Sequence, residues 1–304
     1  MINRRIVLAG LAASAAGIVH PALAQDWKAK YPELVFAVVP AENASGVTER
    51  YAPFIAYLAK ELGTKVTLRI ANDYAALIEG QRAGNIHIGM HGPSSFARAL
   101  MTGVKAEAFA VEVNADGTKG YYSVFYVKKD SPYQKIEDLK GKNLGLVDPN
   151  STSGNNVPRF ALDKMGIDPE RYFAKVFYTG SHENAVTALA QGTVDVAANW
   201  WNDESESNLQ RMARKNMVKA EDFRIIFKSD QIVNSPMTYL SDLPADLKAA
   251  IKGAVLNIAT RDKAAFDKIY EGKARPLEET SNTAYEPIVK LNKFVDDLKK
   301  KKAS

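Results

Sequence analysis

The chain of 304 residues contains no cysteine. Disulfides, thiolate nucleophiles and cysteine–zinc sites are therefore excluded. Histidine is scarce too: of four, one lies in the N-terminal leader, leaving His87, His91 and His182. His87 and His91 share a strand face in "HIGMH", but a metal there would want further ligands and the segment offers none. They read as structural, with His91 a candidate for lining a cleft. Strong charge is missing as well. The formal net charge is +5 from 40 basic and 35 acidic residues. Without residues 1–24, which carry two arginines and no acids, it becomes 38 − 35 = +3. That is too weak for nucleic acid, which demands a clustered basic face. The terminal "DDLKKKKAS" reads as a solvated helix end. No apolar run after the leader is long enough to span a bilayer. The sequence also lacks internal repeats and low-complexity stretches.

The leader itself, "MINRRIVLAGLAASAAGIVHPALAQ", combines Arg4 and Arg5, a short apolar core and Ala22-Leu23-Ala24 ahead of Gln25. This is the layout of a signal peptide cleaved near Ala24, by Sec or twin-arginine export, and the expected location is the periplasm. The mature chain, expected to be soluble and monomeric, then alternates short apolar runs with amphipathic segments. "LVFAVVP", "KVTLRIA" and "IHIGMHG" read as strands; "TERYAPFIAYLAKELG" and "YAALIEGQRAG" read as glycine-terminated helices. A second series follows from "KIEDLKGKNLGLVD" to "FRIIFKSD". The expected fold class is α/β, with two lobes of a mostly parallel sheet flanked by helices. Residues 25–126 and 231–304 make lobe 1 and residues 127–230 make lobe 2. Ligands of such folds bind in the crevice at the carboxyl ends of the strands.

One stretch stands out. In "VDPNSTSGNN" three hydroxyl residues, Ser151, Thr152 and Ser153, follow a strand and precede a helix. The first turn of a helix has unpaired N–H groups and a dipole that favours negative charge. Adding hydroxyls there makes a receptor for a tetrahedral oxyanion from neutral groups. Ordinary capping needs only one of them.

The chain here resembles the periplasmic phosphonate-binding proteins of ABC importers. "NDYAALIEGQRAG", "ADGTKGYYSVFYVKKDSP", "VDPNSTSG", "GSHENAV" and "VDVAAN" match in order and approximate spacing. The resemblance implies a two-lobed (type II-like) periplasmic binding protein that closes on a small phosphonate and delivers it to a membrane permease, with no cofactor and no catalysis. It implies that Ser151, Thr152 and Ser153 bind the phosphonate oxygens, with His182 as a further donor. It also implies two first-lobe tyrosines, Tyr74 and Tyr121, whose alternative role is core packing.

The chain departs from the family pattern at the amine. Members that take 2-aminoethylphosphonate hold its ammonium with two carboxylates, and an unpaired buried ammonium is costly. The matching positions here are Asn202 and Ser235, so amine recognition rests on the adjacent Asp203. Trp200 and Trp201 either cover a short tail or pack. Rival readings are a binder of phosphite or another oxyanion on the same fold, and a phosphoester hydrolase. The hydrolase is weakened because the "NSTSG" serines have no base nearby.

Overall fold

The computed structural model describes residues 27–303; the expected signal peptide and its expected cleavage site lie outside them. Its strands are β1 (Glu33–Val38), β2 (Lys65–Ile70), β3 (Ile88–Met90), β4 (Ala106–Asn114), β5 (Gly120–Lys128), β6 (Asn143–Leu146), β7 (Lys175–Tyr178), β8 (Val196–Asp203), β9 (Glu206–Ser207), β10 (Phe223–Lys228), β11 (Ile232–Val233), β12 (Pro236–Leu240) and β13 (Ala274–Glu279). They form two sheets. The first has the order β13-β4-β12-β3-β1-β2 and the second β10-β5-β8-β6-β7, with β11 on β5 and β9 on β8.

Each sheet is mixed, where sequence alternation implies a mostly parallel one. Strands β3, β1 and β2 are parallel, as are β8, β6 and β7. The strand by which the chain enters each lobe from the other runs the other way: β12, antiparallel to β3, in the first sheet and β5, antiparallel to β8, in the second. A strand entering from the neighbouring lobe has no preceding crossover helix to turn it parallel.

The parallel strands are apolar because both their faces are covered. In lobe 1, Phe36 of β1 packs on Tyr51 and Phe54 of the helix Ala44–Leu62. That helix starts where the Asn43 side chain accepts from the Gly46 N–H and ends at Gly63, whose φ of 60° suits glycine. In lobe 2, Val124, Val147 and Val186 fill one face and Phe125, Leu144 and Leu146 the other.

Two boundaries differ from the sequence expectation. The proposed limit at residue 126 would split β5, yet β5 pairs with β8 and β10 of the second sheet, so the crossing falls between Asn114 and Gly120. Tyr121, expected from lobe 1, thus stands at the start of a lobe 2 strand. The C-terminal helix Glu286–Ala303 was assigned to lobe 1, but it touches both lobes. Arg98 of the helix Pro93–Met101 donates to Asp296 at 2.6 and 2.8 Å, while Phe160 of the helix Val157–Lys164 meets Phe294 edge-on. Among the described residues no helix is long and apolar enough to cross a membrane.

Candidate ligand-binding site

A cavity of ≈ 140 Å3 lies between the lobes, at the carboxyl ends of the parallel strands. Tyr74, Tyr121, Ser151, Thr152, Ser153 and His182 all line it. Four helix N-termini converge there. Tyr74 is the first residue of the helix Tyr74–Arg82, and Gly92 caps Pro93–Met101. Ser151 caps the π-helical turn Thr152–Asn156 that leads into Val157–Lys164, and His182 opens His182–Ala190. Each end contributes partial positive charge to a wall that has no lysine or arginine among those six side chains.

The loop after β6 is built so that its hydroxyls face the cavity. Asp148 accepts from the Asn150 N–H at 2.7 Å, and Asn155 donates to the Pro149 carbonyl at 2.8 Å, which fixes the turn. Gly154 is required by close approach: a Cβ there would lie 2.4 Å from Val147 Cγ2. Ser151 Oγ accepts from Gly154 N at 3.1 Å, and Thr152 Oγ1 accepts from Ser94 N at 2.8 Å, a bond that crosses the lobes. Burial raises the phenol pKa of both tyrosines, that of Tyr121 to about 12, although Ser151 bonds the Tyr74 hydroxyl and Thr152 and Ser153 bond that of Tyr121. Both phenols thus stay protonated donors.

His182 is 5% exposed, and burial pushes its pKa down to about 4 although Asn199 bonds it. It is therefore a neutral imidazole at physiological pH. His91 also lines the cavity, but its ring bonds Gln81 at 2.8 Å and Ser95 at 3.1 Å, and burial lowers its pKa to about 3. His87 accepts from the Val35 N–H at 3.0 Å, away from the cavity lining. The two share no ligand cluster; among the described residues no group of three or more potential metal ligands occurs.

Asp203 is not brought to the site. It is exposed, and its carboxylate accepts from Ser205 N at 2.7 Å and Glu206 N at 3.0 Å, capping its own turn. The preceding residue, Asn202, lines the cavity and donates to Asn114 Oδ1 at 3.2 Å; Ser235 lines it too. Trp200 lies at the wall with the Arg211 guanidinium 4.9 Å from its ring centroid. Trp201 instead packs with Tyr122 beside Lys228, outside the cavity lining.

What sequence reasoning missed is the other end of the cavity. Glu42 pairs with Arg50, with Lys215 at 2.7 Å and with Arg211 at 3.7 Å. Arg211 and Arg214 share Glu206 at 2.5 and 2.7 Å, Arg214 reaches Glu271 at 2.6 Å, and Lys215 reaches Glu183 at 3.1 Å. Burial acts against the Glu42 charge, but Arg50, Arg211 and Lys215 together hold its pKa below the usual value. Four cations are thus matched by four acids. Glu112 of β4 is a fifth acid on this wall, and no ion pair reaches it among the described residues. Burial raises its pKa even though it feels the charges of Arg211 and Arg50.

Comparison with known proteins gives the family. The family described as "ABC transporter, phosphonate, periplasmic substrate-binding protein" matches residues 36–285. The chain is 30% identical over 283 residues to the phosphonates-binding periplasmic protein of Escherichia coli K12, covering 91% of this chain and 80% of that one. The binding component of a Pseudomonas aeruginosa ABC phosphonate transporter superposes with a TM-score of 0.77 at 27% identity, covering 86% of both chains. A Prochlorococcus marinus protein in complex with methylphosphonate has the same fold, with a TM-score of 0.77 at 20% identity, covering 87% of this chain and 98% of that one. Proteins of this kind capture a solute for a transporter and do not transform it. The chain belongs to the phosphonate periplasmic substrate-binding proteins of ABC transporters.

Proposed function

We propose that this protein captures a small phosphonate with a short aminated tail, such as 2-aminoethylphosphonate, after export to the periplasm and signal-peptide removal near Ala24. As a monomer it hands the ligand to an inner-membrane permease. In this reading Ser151, Thr152, Ser153, His182, Tyr74 and Tyr121 hold the oxygens on phosphorus. Glu112, and not Asp203, holds the ammonium. The observation that carries the reading is the asymmetry of one cavity, with helix N-termini and hydroxyls at one end and an unpaired carboxylate on the wall of the other. A carboxylate left partly desolvated and unpaired is costly unless a cation joins it.

Titration calorimetry tests both halves. 2-Aminoethylphosphonate is expected to bind more tightly than methylphosphonate, and Glu112→Gln to weaken the first about tenfold or more while sparing the second. Equal affinities in wild type, unchanged in the variant, would remove the amine from the reading. Failure of every phosphonate and of phosphite to bind would remove the phosphonate itself.

A further inference from the structure

We propose that His182 enters the site as a hydrogen-bond acceptor, so that the bound anion must carry one acidic proton. The inference rests on the reading above and names the form of ligand that the head site takes: a monoprotonated phosphonate or phosphite, against the isosteric sulfonate, which has no proton to give.

The argument begins at Asn199, fully buried beneath the histidine. Its Nδ2 donates to the His182 carbonyl at 2.9 Å, which only the amide nitrogen can do. Its Oδ1 accepts from the Trp200 N–H at 2.9 Å, which only the amide oxygen can do. Two backbone groups therefore fix the orientation of the amide, and Oδ1 is the atom that meets His182 Nδ1 at 3.0 Å. An oxygen without a proton cannot donate, so Nδ1 carries the hydrogen. In a neutral imidazole the lone pair then sits on Nε2. Among the described residues the His182 ring bonds only through Nδ1, which leaves Nε2 without a partner, and His182 lines the cavity with Ser151, Thr152 and Ser153.

A lone pair facing an ionised oxygen repels it, whereas facing a P–O–H it accepts a hydrogen bond. The other head-site groups, hydroxyls and helix N-terminal N–H groups, donate to the remaining oxygens. Below the second ionisation of the ligand, that proton arrives with it. Above that ionisation, binding takes one proton from solvent, and it rests between the ligand oxygen and Nε2 whichever atom holds it. The charged groups around His182 are already engaged. Glu183 on its own helix accepts from Asn43 and pairs with Lys215. Glu42 from lobe 1 pairs with Arg50 and Lys215, and Arg211 with Glu206. Asp148 beside the hydroxyl loop accepts from Asn150. Glu112 on the opposite wall is the one acid of the cavity without an ion pair among the described residues, so the proton count is taken in Glu112→Gln as well, where the proton on the ligand is the variable one.

The test is calorimetry of the purified chain with methylphosphonate and methanesulfonate, in buffers of different ionisation enthalpy, across the second ionisation of methylphosphonate. Methylphosphonate affinity is expected to hold steady below that pH and to fall about tenfold per pH unit above it, with one proton taken up per ligand. Methanesulfonate should bind at least roughly 100-fold more weakly. In His182→Gln, whose amide can donate, methanesulfonate should gain on methylphosphonate and the pH slope should flatten. If that variant does not fold, the wild-type proton count decides alone. Methylphosphonate binding that is flat through its second ionisation, or methanesulfonate within a few fold of it, would overturn the inference and leave the proposed function standing. No binding by methylphosphonate, phosphite or 2-aminoethylphosphonate at any pH would overturn both.

Discussion

The two ends of the cavity solve opposite problems by different means. At the head end, four helix N-termini and a row of hydroxyls face the ligand with no formal charge among the six residues proposed to bind it. At the tail end, four cations and four acids are locked together, and only Glu112 has no ion-pair partner among the described residues. Neutral dipoles attract an anion yet need no counter-ion while the site waits. Full charges are tolerated where they neutralise one another, and the one left over, Glu112, is the proposed recognition element. The charged end also spans the lobes, because Glu42 and Glu271 come from lobe 1 and Arg211, Arg214 and Lys215 from lobe 2. These ion pairs tie the two lobes together across the cavity.

The largest effect is expected from breaking the charged end at Glu42. Its side chain is 3% exposed and serves Arg50, Arg211 and Lys215 at once. Glu42→Gln leaves buried cations short of a partner, at a cost of about 3 kcal/mol in stability. Urea denaturation measures it. A loss below about 1 kcal/mol would mean that the cluster behaves like surface ion pairs, and the contrast between the two ends would lose its energetic basis.

Next comes the head end. Thr152→Val removes a donor from the ligand and also the acceptor of the buried Ser94 N–H. Binding of methylphosphonate should weaken by about 2 kcal/mol, roughly thirtyfold. Stability should fall as well, by about 1 kcal/mol for the orphaned N–H. Calorimetric titration and thermal unfolding separate the two losses. Unchanged affinity would show that the hydroxyl serves only the interlobe bond.

How much of this was legible in the sequence depended on whether the signal was local. The βα alternation and the "DPNSTSG" turn are local, and the structure puts Ser151, Thr152, Ser153 and His182 on one cavity wall. Asp203 failed for a local reason too. Side chains alternate faces along a strand, so one residue of slip in "NWWND" trades the cavity side for the opposite one. Asn202 faces the cavity and Asp203 turns back onto its own loop. Glu112 was hidden because either of the two acids in "AEAFAVEVN" reads like any solvent-facing strand residue. Only tertiary contact shows which neighbours surround it. The Tyr121 assignment erred with the lobe boundary, since a crossing strand carries no mark of the sheet it will join.

A smaller effect, opposite in sign to its effect on binding, is expected from Glu112→Gln on the ligand-free protein. Burial raises the Glu112 pKa, so the native state holds its proton more tightly than the unfolded chain does. Its contribution to stability is present below the unfolded value and is lost as pH rises through the folded pKa. Above the folded pKa the ionised group therefore opposes folding, and there the neutral amide should raise the melting temperature slightly while amine preference is lost. Such a trade of stability for function is common at binding sites. A lower melting temperature would show that the carboxylate has a structural partner, and would take from the tail end its spare charge.

The smallest effect is expected from salt, and its smallness is the point. If an anion were held by exposed lysines or arginines, raising ionic strength would screen them over a Debye length of about 8–10 Å near physiological salt. Here the proposed contacts on the oxygens are buried hydroxyls, an imidazole and helix N-termini in the interlobe cavity, and buried interactions are screened far less. The weak net charge of the chain without residues 1–24, 38 − 35 = +3, adds little long-range attraction. Methylphosphonate affinity should change by less than about twofold between 0.05 and 0.5 M sodium chloride. 2-Aminoethylphosphonate should be similarly insensitive, because its ammonium would meet Glu112 in the same enclosed space. A steep loss with salt for methylphosphonate alone would place a mobile cation at the head end and erase the difference between the two ends. A steep loss for both ligands would point instead to the interlobe ion pairs opening, which Glu42→Gln should then reproduce at low salt.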